Sequence, residues 1–133
     1  MANKWDYDAT QCAIVVDGTK MYGFNDGDMV SGERANDFAD LAVDAQGWGM
    51  FNVNNDRHGT ITINLSAGSP ANAKLMDLCD GQTEVPISIT TPHEHVYSNQ
   101  ARIQKAPSFS AGKTAGNRAY AFLCLDYTDK ITA

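Results

Sequence analysis

Residues 28–72 read DMVSGERANDFADLAVDAQGWGMFNVNNDRHGTITINLSAGSPAN, and the end of this stretch decides the fold. There, four polar residues alternate strictly with Ile61, Ile63 and Leu65. Because successive side chains of a strand point to opposite faces, one face of this predicted strand is aliphatic and the other is polar but uncharged. Such a strand has one face on a core and the other in water. The polar residues are Thr60, Thr62, Asn64 and Ser66.

A polar elbow precedes this strand, and a short helix follows it. Residues 54–59, NNDRHG, are of types that tolerate turn conformations. The helix is predicted over residues 70–80. Ser69 can serve as its N-cap with Pro70 at the first helical position, and Gly81 ends it. Its buried face is predicted to consist of Ala71, Leu75, Leu78 and Cys79.

The segment before the strand, residues 34–59, is predicted to be a long projecting loop or hairpin. Two short extended pieces, residues 38–43 and 49–53, can pair across residues 44–48. Exposed apolar patches usually mark interaction sites. Two interpretations remain open, since the segment can fold back over its own core or dock on a neighbouring subunit. The residues predicted to make the inter-subunit contact are Phe38, Leu41, Val43, Trp48, Phe51, Asp56 and Arg57.

The first third of the chain is predicted to be a β-meander. Residues 12–24 form a hairpin whose turn is Asp17-Gly18, because a type I′ turn needs positive φ at both central positions. Residues 21–24 form its return strand, and a third short strand follows at residues 29–33.

The second half adds further strands. Residues 84–91 alternate, and Pro86 predicts either an edge strand or an irregular start. Residues 94–106 are predicted to be a hairpin that turns at residues 98–100. Residues 118–127 are apolar on both faces, which indicates a central strand covered on both sides.

These elements predict a mainly β protein, an antiparallel sandwich or barrel of about eight strands with one short helix. Its 133 residues fit a single domain over residues 1–133. No apolar run reaches 18 residues, so no transmembrane helix is predicted. The three cysteines, an odd number without metal-like spacing, are predicted to be buried and free. They are Cys12, Cys79 and Cys124.

Negative charge is concentrated in the first part of the chain. Residues 1–60 contain ten acidic and four basic residues, whereas the remainder contains six of each, for a net charge of −6. Most of the acids are aspartates, which favour turns over helix interiors and so agree with a β-rich fold. Such a chain is a poor nucleic-acid binder, because that binding depends on cations that meet phosphates.

Candidate chemistry in the sequence is sparse. His93-Glu94-His95 could place two imidazoles on one face, but a metal site needs three or four ligands, and only His58 remains as a further histidine. The two histidines are therefore predicted to be exposed residues of a strand or turn. Asp56 and Arg57 are predicted to form a local ion pair that fixes the elbow. With no nucleophile motif and no phosphate loop, we predict no catalysis, no metal and no cofactor.

An ordered set of residues resembles one known family. The set is Glu33-Arg34, Asp37-Phe38, Gly47, Asn55-Asp56-Arg57-x-Gly59-Thr60-Ile61-Thr62-Ile63-x-Leu65 and Ser69-Pro70-x-Asn72. In this pattern the chain resembles bacteriophage tail tube proteins, and the resemblance extends over nearly its whole length. The sequence departs from the family pattern at residues 44–47 and at His58.

The resemblance implies a structural virion protein of the phage tail, made in the host bacterial cytoplasm. It implies hexameric rings that stack into an inner tube, with the chain itself, tail sheath, tape measure, baseplate and terminator proteins as partners. DNA passes through such a channel without specific binding, and no membrane insertion is implied. In a ring, free sheet edges can pair between neighbours, and the polar face at Thr60, Thr62, Asn64 and Ser66 suits a wet inner wall. The alternatives are a small monomeric β-barrel that binds an apolar ligand and a secretion-system tube subunit of the same fold.

Overall fold

The computed structural model describes residues 4–132, and within them the chain forms ten strands and one α-helix. The elements are β1 (Ala13–Val16), β2 (Thr19–Lys20), β3 (Val30–Arg34), β4 (Ala39–Val43), β5 (Gly49–Val53), β6 (Gly59–Ser66), α1 (Ala71–Gly81), β7 (Val85–Thr90), β8 (Glu94–Ile103), β9 (Asn117–Cys124) and β10 (Thr128–Ile131). Across these residues, no helix has both the length and the apolar character that a membrane crossing requires.

Eight strands form one antiparallel sheet. Seven of them follow the order β2-β1-β7-β8-β9-β6-β3, and β10 pairs with β8 beside this path. The remaining two, β4 and β5, form a separate two-stranded sheet. The prediction of a mainly β, antiparallel fold is confirmed. The large sheet is open, with β2 and β3 at its edges, and does not close into a barrel.

The strand predicted from the alternation around Ile61 and Ile63 is β6, and its burial alternates along its whole length. Ile61, Ile63 and Leu65 are fully buried, and the polar residues between them are half-buried. The strand pairs with β3 on one side and with β9 on the other. It therefore sits inside the sheet and fixes the positions of both neighbours.

The core lies between the inner face of the sheet and α1. The buried face of α1 is the predicted one, since Ala71, Leu75, Leu78 and Cys79 all pack into the core. The hydroxyl group of Tyr120 on β9 donates to Oδ1 of Asn72 at 2.7 Å and ties the helix to the sheet. The strand residues of this core are Ile14, Val16, Ile61, Ile63, Leu65, Val85, Ile87, Ile89, Ala101, Ile103, Tyr120, Phe122 and Cys124.

The ends of α1 differ slightly from the prediction. The helix begins at Ala71, one residue late, and the hydroxyl oxygen of Ser69 accepts a hydrogen bond from the Ala71 N–H at 3.2 Å. The helix ends at Gly81, but the residue in the left-handed conformation is Gln82, with φ of 52°. Glutamine closes the helix there because its backbone N–H reaches the carbonyl groups of the last turn.

The predicted meander is wrong beyond its first turn. Asp17 and Gly18 have φ of 51° and 76°, as a type I′ turn requires. However, the return strand β2 covers only two residues, and residues 21–24 do not continue it. Gly23, with φ of 78°, redirects the chain, and Phe24 bridges to Leu65 of β6. Strand β3 consequently pairs with β6 rather than with β2.

The predicted hairpin at residues 94–106 is also wrong, because β8 runs unbroken from Glu94 to Ile103. The carboxylate of Asp126 accepts hydrogen bonds from the Ser98 hydroxyl at 2.7 Å and from the N–H groups of Asn99 and Gln100 at 3.2 and 3.3 Å. These bonds satisfy the backbone where β8 changes partners, since β10 pairs with its first half and β9 with its second.

Two further strand predictions need correction. Strand β9 is central, but Leu123 is 49% exposed, so only one face of the strand is covered. Strand β7 is not an edge strand, and Pro86 occupies a register shift between Val85 and Ile87, which is the irregular start that proline allows.

The cysteine prediction holds for two of three positions. All three thiols are free, and Cys79 and Cys124 are buried in the core. Cys12 is only half-buried and precedes β1. Burial raises the pKa of the Cys124 thiol.

Candidate functional site

The segment predicted to project does so as a β-hairpin, which we call the arm (residues 37–54). Its two strands pair from Ala39 opposite Val53 to Val43 opposite Gly49. The Asp44 carboxylate accepts from the N–H groups of Gln46 and Trp48, both at 2.9 Å, and so holds the turn. Every residue of both strands is exposed, so the arm does not fold back over its own core.

One face of the arm is apolar and uncovered. The register places Leu41 directly opposite Phe51, with Val43 and Val53 on the same face. Phe51 is 74% exposed. An isolated two-stranded hairpin is marginally stable in water, so such a face favours a covering partner.

The root of the arm is held by stacked cations and rings. The guanidinium of Arg34 lies 4.9 Å from the ring centroid of Phe38 and 5.6 Å from that of Tyr127. Arg57 stacks on Phe38 at 5.0 Å. The Arg34 Nη1 also donates to the Tyr127 carbonyl oxygen at 3.0 Å. Phe38 therefore braces the arm against the body of the subunit and lies apart from the apolar face.

Gly59 completes this root because no side chain fits there. A Cβ at this position would lie 2.5 Å from the Glu33 carbonyl oxygen and 2.8 Å from the Tyr127 side chain. The Tyr127 ring packs over β3 and β6 at the point where the arm leaves them, and burial raises the pKa of its hydroxyl. The glycine allows β3, β6 and the Tyr127 side chain to pack closely at the base of the arm.

The elbow is fixed by a different pair from the one predicted. The carboxylate of Asp56 accepts from Nδ1 of His58 at 2.6 Å and from the Asn36 side chain at 2.9 Å. These bonds, that to His58 first, lower the pKa of Asp56. Arg57 instead donates to the Asn54 carbonyl oxygen at 2.6 Å, so the predicted Asp56–Arg57 ion pair is wrong.

The outer face of β6 carries the polar residues predicted for an inner wall. Thr60 lies between Glu33 of β3 and Leu123 of β9, and Thr62 lies between Ser31 and Ala121. This face is thus polar towards β3 and apolar towards β9. The four predicted residues, Thr60, Thr62, Asn64 and Ser66, all lie on it and are half-buried.

His93 and His95 belong neither to the arm nor to the outer face of β6. His93 is exposed in a turn, whereas His95 on β8 is half-buried and hydrogen-bonded through Nε2 to the Ser88 hydroxyl at 2.9 Å. The prediction that both are exposed is wrong for His95. Between residues 4 and 132, no group of three or more potential metal ligands comes together.

Sequence reasoning missed several residues of these surfaces. Val53 joins the apolar face of the arm, and Ser31 and Glu33 join the polar face of the sheet. Val53 could have been found by continuing the alternation through the hairpin. Ser31 and Glu33 could not, because their placement depends on the pairing of β3 with β6.

Comparison with known proteins identifies the family. A family model described as "Bacteriophage PhiTE tail tube protein" matches residues 6–131.

The chain belongs to this tail tube family.

A search of curated protein sequences finds no match to this tail tube family member.

Solved structures show the same fold. A chain from the cryo-EM structure of the anti-feeding prophage cap, the AFP tube terminating cap, has a TM-score of 0.70 at 11% identity, covering 99% of this chain and 95% of that chain. A chain from the PVC sheath-tube complex of an extracellular contractile injection system in the extended state also scores 0.70, at 15% identity, covering 98% and 95%. A chain from the PVC sheath/tube terminator scores 0.67 at 16% identity, covering 97% and 99%.

Proposed function

We propose that this tail tube family member is the subunit of hexameric rings that stack into the inner tube of a phage tail. The observation that carries the proposal is the arm, whose apolar face has no covering partner within residues 4–132. The family match supports the tail tube role. Residues 1–133 act as one domain, and the arm contacts the adjacent ring through Leu41, Val43, Trp48 and Phe51.

Ring closure uses the open edges of the sheet. Among the described residues β3 pairs only with β6, so its outer edge presents unpaired N–H and C=O groups. Such an edge readily accepts another strand. In a ring each copy offers its edge to the next, and the contact closes by rotation. The sheets of neighbouring copies then continue one another around a central channel.

The outer face of β6 forms the channel wall in this arrangement. Its threonines, asparagine and serine are neutral and polar, and Glu33 lies beside them. The outer face of β6 itself carries no cation, and Arg102, on the same face of the sheet two strands away, lies 3.7 Å from the Glu84 carboxylate. Such a face has little to hold phosphates, so DNA passes without specific binding. The role requires no catalysis and no cofactor.

The partners and location follow from the tube. We propose that tail sheath, tape measure, baseplate and terminator proteins contact the assembled tube, and that the subunits assemble in the host cytoplasm before they become part of the virion. The structural neighbours come from sheath-tube and terminator assemblies, which supports a sheath-covered tube. The open sheet disfavours the alternative of a monomeric ligand-binding barrel.

Replacement of the arm tests this function. Residues 39–53 are exchanged for Asn-Gly, which keeps the hydrogen bond from the Asn54 N–H to the Phe38 carbonyl oxygen at the root. We expect a folded subunit by circular dichroism that forms no tubes by negative-stain electron microscopy. The control exchanges only Ala45 and Gln46 for Asn-Gly and retains both arm strands. Long tubes from the armless variant would refute the proposed role of the arm.

A further inference from the structure

We propose that the acidic arm of one copy docks on a basic loop of the next copy in the stack. The basic loop is the connection between β8 and β9 with the first residues of β9 (residues 104–118). The inference rests on the proposed tube and names the surface that receives the arm. Charge, exposure and position in the fold all support it.

The charged residues of the arm are all acidic, and those of the basic loop are all basic. The arm contains three aspartates and neither lysine nor arginine, whereas the basic loop contains three basic residues and neither aspartate nor glutamate. The charged residues are Asp37, Asp40 and Asp44 on the arm and Lys105, Lys113 and Arg118 on the basic loop. Two such surfaces attract each other and repel copies of themselves.

These charges are available for a partner. Over residues 4–132 none of the six belongs to an ion pair. All are exposed except Arg118, which is half-buried. The Arg118 guanidinium stacks 5.4 Å from the ring centroid of Phe109, and that ring is itself 77% exposed. The basic loop thus offers cations around an open aromatic ring. Asp40 projects from the face of the arm opposite Leu41 and Phe51, so in the docked arrangement the cations meet one side of the arm while its apolar side stays free for other contacts.

The arm and the end of the basic loop that enters β9 lie at opposite ends of β6, whereas the loop starts at Gln104, whose N–H donates to the carbonyl oxygen of Ala121, opposite Thr62. The arm leaves the sheet at Gly59, which is paired with Cys124, and the basic loop joins it where Ser66 is paired with Asn117. The Ala67 N–H also donates to the Gly116 carbonyl oxygen at 3.0 Å, which anchors the loop at the Ser66 end. An eight-residue strand separates these ends by about 23 Å.

Opposite ends meet when copies stack in one direction. A contact between two different patches of the same chain is heterologous and propagates along an axis. The acidic arm of one ring then reaches the basic end of the next ring, whereas head-to-head stacking brings like charges together. The charge pattern therefore sets the direction of the stack.

A polyanion such as DNA is the competing partner for the basic loop. The loop supplies only three cations on a chain of net charge −6, which is weak support for phosphate binding. Every copy, in contrast, supplies an arm with an equal number of anions. The observations favour a second copy of this chain.

A charge-swap cycle tests the docking. One variant carries Asp37→Lys with Asp40→Lys, and another carries Lys105→Glu with Lys113→Glu. Asp44 stays unchanged because its carboxylate holds the turn. The third variant combines both pairs. The control, Lys4→Glu with Lys130→Glu, changes the same charge on exposed residues outside both surfaces.

The measured quantity is the critical concentration for assembly, from light scattering at low salt with negative-stain microscopy of the product. Each swapped pair is expected to raise it on the order of tenfold, and the combined variant to return it close to the wild-type value. The control is expected to have little effect, and 1 M salt should reduce the differences, because salt at that concentration screens charges beyond about 3 Å.

Three results would overturn the docking. If wild type and either swapped pair form tubes equally well, the arm does not dock on the basic loop, although the proposed tube function still holds. A combined variant no better than the single pairs would show that the two surfaces do not meet. Lys105→Glu with Lys113→Glu that assembles normally but loses retention on immobilised DNA would assign the loop to a polyanion. Wild-type protein that never assembles would contradict the proposed function itself.

Discussion

Replacing Phe51 with alanine is expected to weaken assembly strongly while leaving the folded subunit intact. The Phe51 ring lies on the apolar face of the arm, opposite Leu41, and 74% of the residue is exposed. A buried aromatic side chain covers about 200 Å², so roughly 150 Å² of Phe51 remain for a neighbour to cover. At about 25 cal/mol per Å², complete covering contributes on the order of 3–4 kcal/mol.

Alanine keeps part of this area, so the expected loss is about 2–3 kcal/mol of contact free energy. Each 1.4 kcal/mol is tenfold in an equilibrium constant, so the critical concentration should rise roughly 30- to 100-fold. The free energy of unfolding of the monomer should change by less than about 0.5 kcal/mol, because the side chain lies outside the core.

The assay is sedimentation of assembled protein over a concentration series, with urea denaturation of the unassembled subunit as the test of folding. Ile131→Ala is the matched control, since Ile131 on β10 is 73% exposed and lies outside both the arm and the basic loop. We expect the control to shift the critical concentration by no more than about threefold. If Phe51→Ala sediments at the same concentration as the wild type, the apolar face of the arm is not covered in the tube.

Three further predictions concern the subunit itself. Gly59→Ala should destabilise it by about 1–3 kcal/mol in urea denaturation, because a methyl group meets a backbone carbonyl oxygen at 2.5 Å, whereas Gly68→Ala should be neutral in its open surroundings; equal stabilities would contradict the packing at the arm root. Asp126→Ala should cost about 1.5–3 kcal/mol, because it leaves a hydroxyl and two backbone N–H groups of β8 without their charged acceptor, and unchanged hydrogen exchange at those amides would speak against it. The Asp56 carboxyl should titrate by NMR with a pKa below the usual aspartate value, and this pKa should rise in His58→Ala. Because the folded-state pKa is lowered, the carboxylate stabilises the folded state above the unfolded-state pKa, and this contribution should disappear as the pH falls through the folded-state pKa. An Asp56 pKa at the usual aspartate value would contradict the contact with His58.

Local patterns in the sequence predicted the elements that depend on neighbours in the chain. The alternation around Ile61 and Ile63 gave β6, and Asp17-Gly18 gave the type I′ turn. The apolar face of α1 and the pairing of the two arm strands were also correct. In each case the residues that decide the structure lie within one strand, one helix or one hairpin, so their spacing alone carries the information.

Features that depend on distant residues could not be predicted. Residues 98–100 have turn-forming composition, but the carboxylate of Asp126, far along the chain, lets β8 continue through them. The stacking of Phe38 between Arg34 and Arg57 at the root of the arm was not predicted either, while its predicted contact with a neighbouring subunit stays a prediction. The spacing of residues along the sequence indicates neither the Asp126 hydrogen bonds nor the stacking of Phe38.

The apolar outer face of β9 shows a limit of a different kind. Continuous apolar character indicated a strand covered on both sides, yet Leu123 and Leu125 remain exposed in the single chain. An apolar face can be covered by the same chain or by another subunit, and the sequence pattern does not distinguish the two. The apolar residues of this face were therefore predicted to be buried, but they lie on the surface of the single subunit.

The central claim is that copies of this chain cover each other's arms and sheet edges in a stacked tube. Cryo-electron microscopy of the purified protein, concentrated above its assembly threshold, tests it most directly. We predict six-fold rings stacked in one direction, in which Leu41, Val43 and Phe51 are buried against the adjacent ring and the outer edge of β3 lies against a neighbouring copy. Monodisperse single subunits, or polymers in which the apolar face of the arm stays in solvent, would contradict the claim.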